Sequence, residues 1–456
     1  MSKYCSRKGT CLVARTPFEN IRGKVGVVIY TKPVKCGGGC IYCFSQPNYP
    51  QSYLENEDTL RAKEYKWDPA SQIDGIFRRY NLPKGGGAKC DITVLGGSFT
   101  EYPEHYILDY VKRMYDCLNG CSSGSLEEAI AIHEHAPDRC VIFSIESRPE
   151  LITVEMCKFL LRLGVTMVEL GVQSLDERVL SFNGRHYTPK DVTEVTHLLR
   201  SFGFKVGYHM MVGLVGSRYE DDVAALGAAL WTGEYCPDYL KIYPCVALKG
   251  SYGQERLLEC FRAGWRPLDN DQYLRLLFEI KPHIPRYVKV SRIQRILEPS
   301  TIFAGPSRVI DRHIFDHVCH CISHRAIGWS NKDLEADYFD YRIEVIPQND
   351  TVYLEAIHVG RGILGYARLT PLRNNTCGVI PELRVFGRMR CVGESSARNN
   401  GIQHIGVGRA LMERMEGIAR TSNWKSIRVN AGVGAREYFV KLGYTYEDKY
   451  MVKSLV

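Results

Sequence analysis

The chain has 456 residues, of which 45% are hydrophobic and 24% are charged, and its formal net charge is +8. This composition is typical of a globular protein. No run of about 18 apolar residues occurs, which excludes an apolar membrane-spanning helix, and the first residues lack the apolar core of a signal peptide. We therefore expect a cytoplasmic protein with no membrane partner, built from two or three domains of roughly 100 to 200 residues each.

Cysteines and basic residues are unevenly distributed. The 17 cysteines indicate metal sites and reduced thiols, because disulfides are rare inside cells. Residues 1–35 and the segment from Lys281 to Arg295 are rich in lysine and arginine. Each segment is typical either of a surface that binds a polyanion or of an ordinary solvated basic surface.

Three cysteines, Cys36, Cys40 and Cys43, follow the first predicted strand. Three thiolates can hold a [4Fe-4S] cluster by three corners and leave the fourth iron open for S-adenosylmethionine, the arrangement that radical chemistry needs. A structural zinc site is the alternative. Zinc would require a fourth Cys or His nearby, and none occurs between residues 44 and 63. The spacing therefore favours the iron-sulfur cluster.

Six apolar, β-branched segments alternate with helical patterns in the first half of the chain. The predicted strands are Lys24–Tyr30, Asp91–Gly97, Cys140–Ser147, Met167–Ser174, Lys205–Leu214 and Tyr239–Leu248. This alternation predicts a partial, TIM-like (β/α)6 barrel with a parallel sheet. Ligands bind at the carboxyl ends of the strands in such barrels.

Four residues at predicted strand ends are candidate ligand contacts: Gly96, Gly97, Glu146 and Gln173. The glycines allow a ligand to approach the backbone closely. Glu146 and Gln173 either bind the amino group or ribose of the ligand or cap a helix. Lys241, on the sixth strand, can meet a carboxylate or phosphate, or extend to solvent.

A segment rich in cysteine and histidine begins near Ser307. Cys319, Cys321 and His324 are zinc-ligand types at close spacing, with His317, His313 or a remote residue as the fourth ligand. The alternative is a histidine-rich surface loop with buried thiols. We interpret the segment as a zinc-binding linker.

From Asp340 onward, four predicted strands precede a helix and a fifth strand: Tyr341–Ile346, Val352–Val359, Ile363–Leu369, Val379–Phe386 and Ser426–Val429. The predicted start of the helix contains Gln403, His404, Gly406, Val407, Gly408 and Arg409. Glycines permit close approach of a ligand, and the N–H groups at a helix start attract phosphate. The arrangement is typical of GNAT-type acetyltransferases, which bind the pyrophosphate of coenzyme A there.

With these motifs, the chain resembles the catalytic subunit of Elongator in its single-subunit bacterial or archaeal form. The resemblance runs from about Lys24 to the C-terminus. Besides the cysteine loop, it rests on the following segments: 52–53, 61–62, 95–99, 168–174, 240–244, 290–295, 382–385, 403–408 and 432–439.

The resemblance implies a basic segment at 1–23, a radical S-adenosylmethionine domain at 24–306, a zinc-binding linker at 307–335 and a GNAT-like domain at 336–456. It also implies carboxymethylation of wobble uridine 34 at C5 in the anticodon loop of tRNA. Acetyl-CoA would be the carbon donor, a 5′-deoxyadenosyl radical would take hydrogen from the acetyl methyl group, and tRNA would stimulate hydrolysis of acetyl-CoA.

The resemblance also implies roles for single residues. The backbone of Glu382, Leu383, Arg384 and Val385 would pair with the pantetheine amides. Lys89 matches a family position that contacts acetyl-CoA from the radical domain. Tyr438 would protonate the departing thiolate, with Tyr444 in reserve. Phe439 is either part of the cofactor site or a core aromatic residue.

The chain departs from the family pattern in three places: a short spacer between Cys36 and Cys40, His324 where cysteine is usual, and Phe439 where a second tyrosine is usual. Two other functions stay open at this stage. One is protein lysine acetylation with a structural iron-sulfur domain, and the other is a tRNA-binding module without turnover. The sequence also leaves open the tRNAs that are chosen and the oligomeric state, a homodimer included.

Overall fold

The computed structural model describes residues 24–55, 58–250, 253–327, 340–348, 351–360, 362–372, 376–387 and 406–456. The basic segment 1–23 and two predicted cofactor residues, Gln403 and His404, lie outside the described residues. The described strands form two seven-stranded sheets and one two-stranded sheet. No described helix is long and apolar enough to cross a membrane.

The first seven-stranded sheet is parallel throughout, in the order β1, β2, β3, β4, β5, β6, β8, whereas β7 and β9 pair separately. The strands are β1 (Val25–Tyr30), β2 (Lys89–Leu95), β3 (Arg139–Ser147), β4 (Met167–Gln173), β5 (Lys205–Val212), β6 (Tyr239–Pro244), β7 (Ala247–Leu248), β8 (Lys289–Arg292) and β9 (Ile302–Ala304).

Helices cover this sheet. They are α1 (Thr59–Glu64), α2 (Pro69–Arg79), α3 (Glu104–Asn119), α4 (Leu126–His133), α5 (Val154–Leu163), α6 (Glu177–Phe182), α7 (Pro189–Ser201), α8 (Tyr219–Trp231), α9 (Glu255–Arg262) and α10 (Asn270–Ile280). Local sequence fixes their ends, as at α7. Thr188 accepts from the Asp191 N–H at 3.3 Å, Asp191 accepts from the Thr188 N–H at 2.7 Å, and Pro189 occupies the first helical position, which together favour a helix start.

The structure confirms the six predicted strands, with small shifts at their ends. It divides the sixth predicted segment into β6 and β7 at Pro244 and adds β8 as a seventh parallel strand. β8 comprises only Lys-Val-Ser-Arg, which is too short to show the periodicity that predicts a strand.

The second seven-stranded sheet has the order β10, β11, β12, β13, β14, β16, β15. A short helix of the linker, α11 (Ile322–Arg325), precedes β10 (Tyr341–Gln348), β11 (Thr351–His358), β12 (Gly362–Pro371), β13 (Cys377–Val385), α12 (Val407–Thr421), β14 (Ser426–Val429), α13 (Arg436–Val440), β15 (Thr445–Glu447) and β16 (Tyr450–Ser454). Only β13 and β14 pair in parallel among these neighbours.

β13 runs past the end of β14. The last paired residues are Ile380 and Val429, whereas β13 continues to Val385. Among the described strands, the backbone beyond Ile380 therefore has a neighbour only on the side of β12. This strand geometry confirms the GNAT-type arrangement that the sequence predicted.

The second sheet packs against the amino ends of the parallel strands, which we call the barrel floor. Lys205, at the start of β5, donates to the carbonyl oxygen of Pro381 on β13 at 3.3 Å. Asn430 donates to the carbonyl of Val165, just before β4, at 3.4 Å. In the described part of the chain, the carboxyl ends of the barrel strands consequently lie on the side away from the second sheet.

The linker joins the two large sheets directly. The Ile322 N–H donates to the Val288 carbonyl before β8 at 3.0 Å, and the Ile327 N–H donates to the Ile363 carbonyl on β12 at 3.1 Å. We propose to retain the domain boundaries 24–306, 307–335 and 336–456, because the first large sheet ends at Arg292 and the second begins at Tyr341.

Candidate functional site

One cavity of about 410 Å³ runs along the inside of the barrel. At the carboxyl ends of the strands its wall includes Cys36, Cys40 and Cys43. At the floor its wall includes Tyr239 and Lys289, the first residues of β6 and β8. The cavity thus extends from the cysteine loop to the surface on which the second sheet packs.

Each thiol of the cysteine loop receives at least one side-chain N–H donor, and Cys36 Sγ also accepts from the Gly38 N–H at 3.4 Å. Arg148 donates to Cys36 Sγ at 2.9 Å, Arg185 to Cys40 Sγ at 3.1 Å and Gln51 to Cys43 Sγ at 3.2 Å. N–H groups that point at sulfur stabilise a thiolate.

Arg148 is itself fixed by a two-point ion pair. Its Nη1 and Nη2 each lie 2.9 Å from one oxygen of Glu101. Burial raises the pKa of Cys43 to about 11, so this thiol must lose its proton to bind iron. Three half-buried thiols with cationic and amide donors fit a [4Fe-4S] cluster with one open iron.

The predicted glycine and glutamine contacts lie at the same end. Gly96 and Gly97 have φ values of 138° and 98°, conformations that favour glycine. Gln173 also has a positive φ of 65°, an unusual conformation for this residue type. Gly97 and Gln173 both line the cavity, whereas a side chain at Gly96 would collide with Thr31.

Charged side chains occupy the middle of the barrel. His209 Nε2 lies 2.5 Å from Glu169 Oε2 and 3.7 Å from Glu146 Oε1. Lys241 forms ion pairs with Glu169 and, at 3.5 Å, with Glu146. All four line the cavity. Although burial opposes it, Lys241 and His209 hold the pKa of Glu169 below its usual range. The cavity is therefore polar at the depth where most barrels pack apolar side chains.

The predicted coenzyme A residues converge where β13 passes β14. Gly406 caps α12 with a φ of 98°. A Cβ on Gly408 would lie 2.7 Å from the Tyr438 hydroxyl oxygen and 3.5 Å from Val385 Cγ2. The start of α12, the end of β13 and α13 thus share one surface. Partial burial raises the pKa of Tyr438 to about 12, so the phenol is a neutral donor at pH 7.

The remaining predicted residues lie on the floor side of the barrel or in the second domain. Lys89 is the first residue of β2, on the floor side, and does not line the described cavity. Val407 is buried in the core of the second sheet, and Arg409 lies in the first turn of α12. Phe439 is buried between Tyr438 and Tyr444. The hydroxyl of Tyr444, the reserve proton donor, instead donates to Glu416 at 3.1 Å.

β13 presents alternate side chains to the barrel floor. Glu382 accepts a hydrogen bond from the Tyr239 hydroxyl and lies 3.2 Å from Arg368 Nε. Arg368 also lies 3.2 Å from Asp238, just before β6. Leu383 packs instead toward the core of the second sheet. β13 therefore contacts both the barrel floor and the α12 side.

Cys319, Cys321 and His324 come together in the linker. Their candidate ligand atoms all lie within 4.8 Å of one another, and Cys321 Sγ is 3.1 Å from His324 Nδ1. Both cysteines are buried, and the ammonium of Lys281 is buried beside them. This donor set fits zinc.

Residues 30–226 match the Radical SAM superfamily. The tRNA uridine(34) acetyltransferase of Dehalococcoides mccartyi is 33% identical over 466 aligned positions, which cover 96% of this chain and 99% of that protein. This chain belongs to the tRNA uridine(34) acetyltransferase family.

Relatives of this family extend from archaea to animals. The tRNA uridine(34) acetyltransferase of Methanocaldococcus infernus is 30% identical, covering 97% of this chain and 88% of that protein. Human Elongator complex protein 3 is 28% identical, covering 96% and 85%. The solved structure of Methanocaldococcus infernus Elp3 with an N-terminal deletion matches with a TM-score of 0.78 at 27% identity, over 95% of this chain and all of that one.

The basic residues between Lys281 and Arg295 differ from what the sequence predicted. The segment from Lys281 to Arg295 was expected to be a basic surface, and this expectation is wrong. Lys281 is fully buried, Arg286 forms ion pairs with Glu344 and Glu355, and Arg295 packs over Tyr53. Charges that follow one another in sequence are here distributed over separate contacts, so they do not form one continuous basic surface.

Sequence reasoning missed Arg185, Glu169 and His209 as parts of the cavity wall. Glu169 and His209 lie inside predicted strands, two residues from apolar neighbours of the same face. Buried parallel strands are usually apolar on both faces. A polar or charged residue within such a strand could therefore have indicated a residue of the cavity wall. Arg185 follows α6 in a loop, and no local pattern marks it.

Proposed function

We propose that this chain carboxymethylates C5 of the wobble uridine of tRNA, with acetyl-CoA as carbon donor and S-adenosylmethionine as radical source. The observation that carries the proposal is the single cavity that joins the cysteine loop to the barrel floor. The floor contacts β13, the strand predicted to bind coenzyme A. Relatives named tRNA uridine(34) acetyltransferase support uridine 34 as the target.

In this proposal Cys36, Cys40 and Cys43 hold a [4Fe-4S] cluster. Such a cluster, when bound and reduced, supplies the electron that cleaves S-adenosylmethionine to a 5′-deoxyadenosyl radical. Arg148 and Arg185 direct N–H groups at two of the thiols. Gly97, just after β2, and Gln173, at the end of β4, are the residues that would bind and orient S-adenosylmethionine.

The second sheet would bind acetyl-CoA. The start of α12, from Gly406 to Arg409, offers N–H groups for the pyrophosphate, and β13 beyond Ile380 offers backbone for the pantetheine. Tyr438 would donate its phenolic proton to the thiolate of coenzyme A when the thioester is hydrolysed. Lys89 is placed on the floor side of β2, from which it would contact acetyl-CoA.

We also propose zinc in the linker, held by Cys319, Cys321 and His324. The linker hydrogen-bonds both to the segment before β8 and to β12. Zinc at this point would stabilise the packing of the two large sheets, since binding energy of a structural metal adds to folding energy.

The experiment is anaerobic reconstitution with iron and sulfide, followed by incubation with S-adenosylmethionine, acetyl-CoA and tRNA. We expect 5′-deoxyadenosine, 5-carboxymethyluridine in digested tRNA and tRNA-stimulated release of coenzyme A. Cys40→Ser should abolish 5′-deoxyadenosine without loss of tRNA binding. Acetyl-lysine on a protein substrate, with no modified uridine, would overturn the proposal in favour of protein acetylation.

A further inference from the structure

The barrel floor contains a cluster of buried cations. Lys24 precedes β1, and Lys205 is the first residue of β5. Arg368 on β12 and Arg384 on β13 face them from the second sheet and are buried. Burial lowers the pKa of Lys24, and the nearby positive charge of Arg384 lowers it further.

Carboxylates compensate only some of these charges. Lys24 forms an ion pair with Asp91. Arg368 lies 3.2 Å from both Asp238 and Glu382. Among the described residues, neither Lys205 nor Arg384 forms an ion pair with a carboxylate. Glu382 lies near both cations and balances part of their charge, but N–H groups that are buried without an acceptor remain costly.

The donor atoms of Arg384 are specifically unsatisfied. Arg384 is 7% exposed, and its Nε and Nη1 atoms are buried without a hydrogen-bond partner among the described residues. Lys205 donates at 3.3 Å to the Pro381 carbonyl, three residues before Arg384 on the same strand. A guanidinium with two unused N–H groups beside an ammonium is a donor set for one ligand oxygen.

The position of these donors identifies the ligand. Arg384 lies on the part of β13 that runs past β14, where the predicted pantetheine groove ends, and Lys205 reaches the same strand from β5. Tyr239, which bonds Glu382 on that strand, also lines the barrel cavity. An acyl group that leaves the groove toward the cavity would therefore pass Arg384 and Lys205.

We propose that Arg384 and Lys205 bind the carbonyl oxygen of an acyl thioester at the barrel floor. This inference rests on the proposed use of acetyl-CoA. It assigns a separate binding site to the acetyl group, in addition to the site for coenzyme A. Two cations at the carbonyl oxygen fix the direction of the acetyl methyl group. They also favour negative charge on that oxygen, which a tetrahedral intermediate of thioester hydrolysis would develop.

The test compares acetyl-CoA with coenzyme A. Calorimetric titration of the full chain, with and without tRNA, measures both affinities for the parent protein, Arg384→Gln, Arg384→Lys and Lys205→Gln. Infrared difference spectra with acetyl-CoA labelled with carbon-13 at the carbonyl measure the frequency of the thioester C=O stretch. Lys158→Gln, on the exposed face of α5, is the control.

We expect the parent protein to prefer acetyl-CoA and to lower the C=O frequency relative to water. Arg384→Gln and Lys205→Gln should each reduce the preference about tenfold, as expected for one hydrogen bond to a charged group, and return the frequency toward its value in water. Arg384→Lys retains the charge and should lie between. The control should behave as the parent.

Two results separate the possible failures. Acetyl-CoA and coenzyme A that bind equally, with an unshifted carbonyl band in the parent protein, would overturn this inference and leave the proposed function intact. Absence of binding for both ligands would overturn the proposed function as well. If Arg384→Gln does not fold, Arg384→Lys and Lys205→Gln carry the same comparison, and unchanged preference and frequency in both variants would count against the site.

Discussion

The hydroxyl oxygen of Tyr438 lies 2.7 Å from the position that a Cβ atom would take on Gly408. Any other residue at position 408 would therefore displace the phenol. The Tyr438 hydroxyl, carried by α13, thus lies at the first turn of α12, beside Val385 at the end of β13. A glycine that permits this approach links the predicted pyrophosphate site to a proton donor.

Tyr438→Phe should reduce tRNA-stimulated release of coenzyme A by about 100-fold, because proton transfer by a positioned side chain typically contributes at least that much. The ring remains, so the packing against Phe439 and the affinity for acetyl-CoA should change little. Steady-state assays of thiol release measure the first quantity, and calorimetric titration measures the second.

Tyr446→Phe is the matched control, since Tyr446 is also exposed on the C-terminal side of α13 and its ring packs on Arg436 at 4.1 Å. It should release coenzyme A at the parent rate. Equal rates for Tyr438→Phe and the parent protein would show that the Tyr438 hydroxyl is not the proton donor.

Arg148 should raise the reduction potential of the reconstituted cluster. Its Nη1 donates to Cys36 Sγ at 2.9 Å, and a cation at a cluster sulfur stabilises the more negative, reduced state. Arg148→Gln should lower the potential by about 60 mV, a tenfold change in a one-electron equilibrium. A redox titration followed by electron paramagnetic resonance measures the shift.

In Arg148→Gln the Glu101 carboxylate loses its ion-pair partner, and its negative charge could itself lower the potential. The double variant Arg148→Gln/Glu101→Gln removes this charge and is the control. The double variant should retain at least half of the shift. A potential that returns fully to the parent value would assign the effect to Glu101 and not to the hydrogen bond at Cys36.

The barrel strands were predictable because apolar, β-branched segments repeated between helical patterns. The cysteine loop was also predictable, since its spacing is local in sequence. Arg185 could not be found in this way, because its 3.1 Å contact with Cys40 joins residues 145 positions apart. The burial of Lys281 was equally inaccessible, since the same local sequence fits a solvated lysine and one enclosed beside Cys319 and Cys321.

The side-chain contacts between β13 and the barrel floor could not be predicted, for a different reason. The sequence predicted backbone contacts for Glu382 and Arg384 but gave no indication of their side-chain partners. From the other sheet, Tyr239 donates to Glu382 and Lys205 donates to the Pro381 carbonyl. The periodicity of a sequence does not indicate which faces of two sheets pack together. Pattern analysis therefore predicted each sheet well and the interface between them poorly.

Lys241 should hold the middle of the barrel together. It contacts Glu169 and Glu146, and both Lys241 and Glu169 are largely buried. Lys241→Met would leave two carboxylates without their ammonium, and we expect the free energy of unfolding to fall by about 3 to 5 kcal/mol. Urea unfolding monitored by circular dichroism measures the loss.

Adding Glu169→Gln to Lys241→Met removes one stranded charge, so the double variant should be more stable than Lys241→Met alone. Lys158→Met on the exposed face of α5 should change stability by less than about 0.5 kcal/mol. Strict additivity of the two barrel substitutions would show that Lys241 and Glu169 are not energetically coupled.

His133 should make the protein sensitive to acid. The ring is fully buried, its Nδ1 lies 2.7 Å from Asn119 Oδ1, and its Nε2 accepts from the Cys140 N–H at 2.8 Å. Burial, with the nearby Arg139 and Arg436, lowers the pKa of His133 to about 3, whereas the unfolded value is about 6.5.

The neutral ring is therefore favoured in the folded state. Its contribution to stability is complete above about pH 6.5 and is lost as the pH falls toward about 3, because the unfolded chain binds the extra proton over that range. The slope from this group approaches about 1.4 kcal/mol per pH unit. His133→Gln retains an acceptor and a donor but cannot bind the proton, so stability should depend less on pH between 6 and 4, as measured by urea unfolding. His105→Gln, at an exposed position of α3, should retain the parent slope, and identical slopes for His133→Gln and the parent would contradict the assignment.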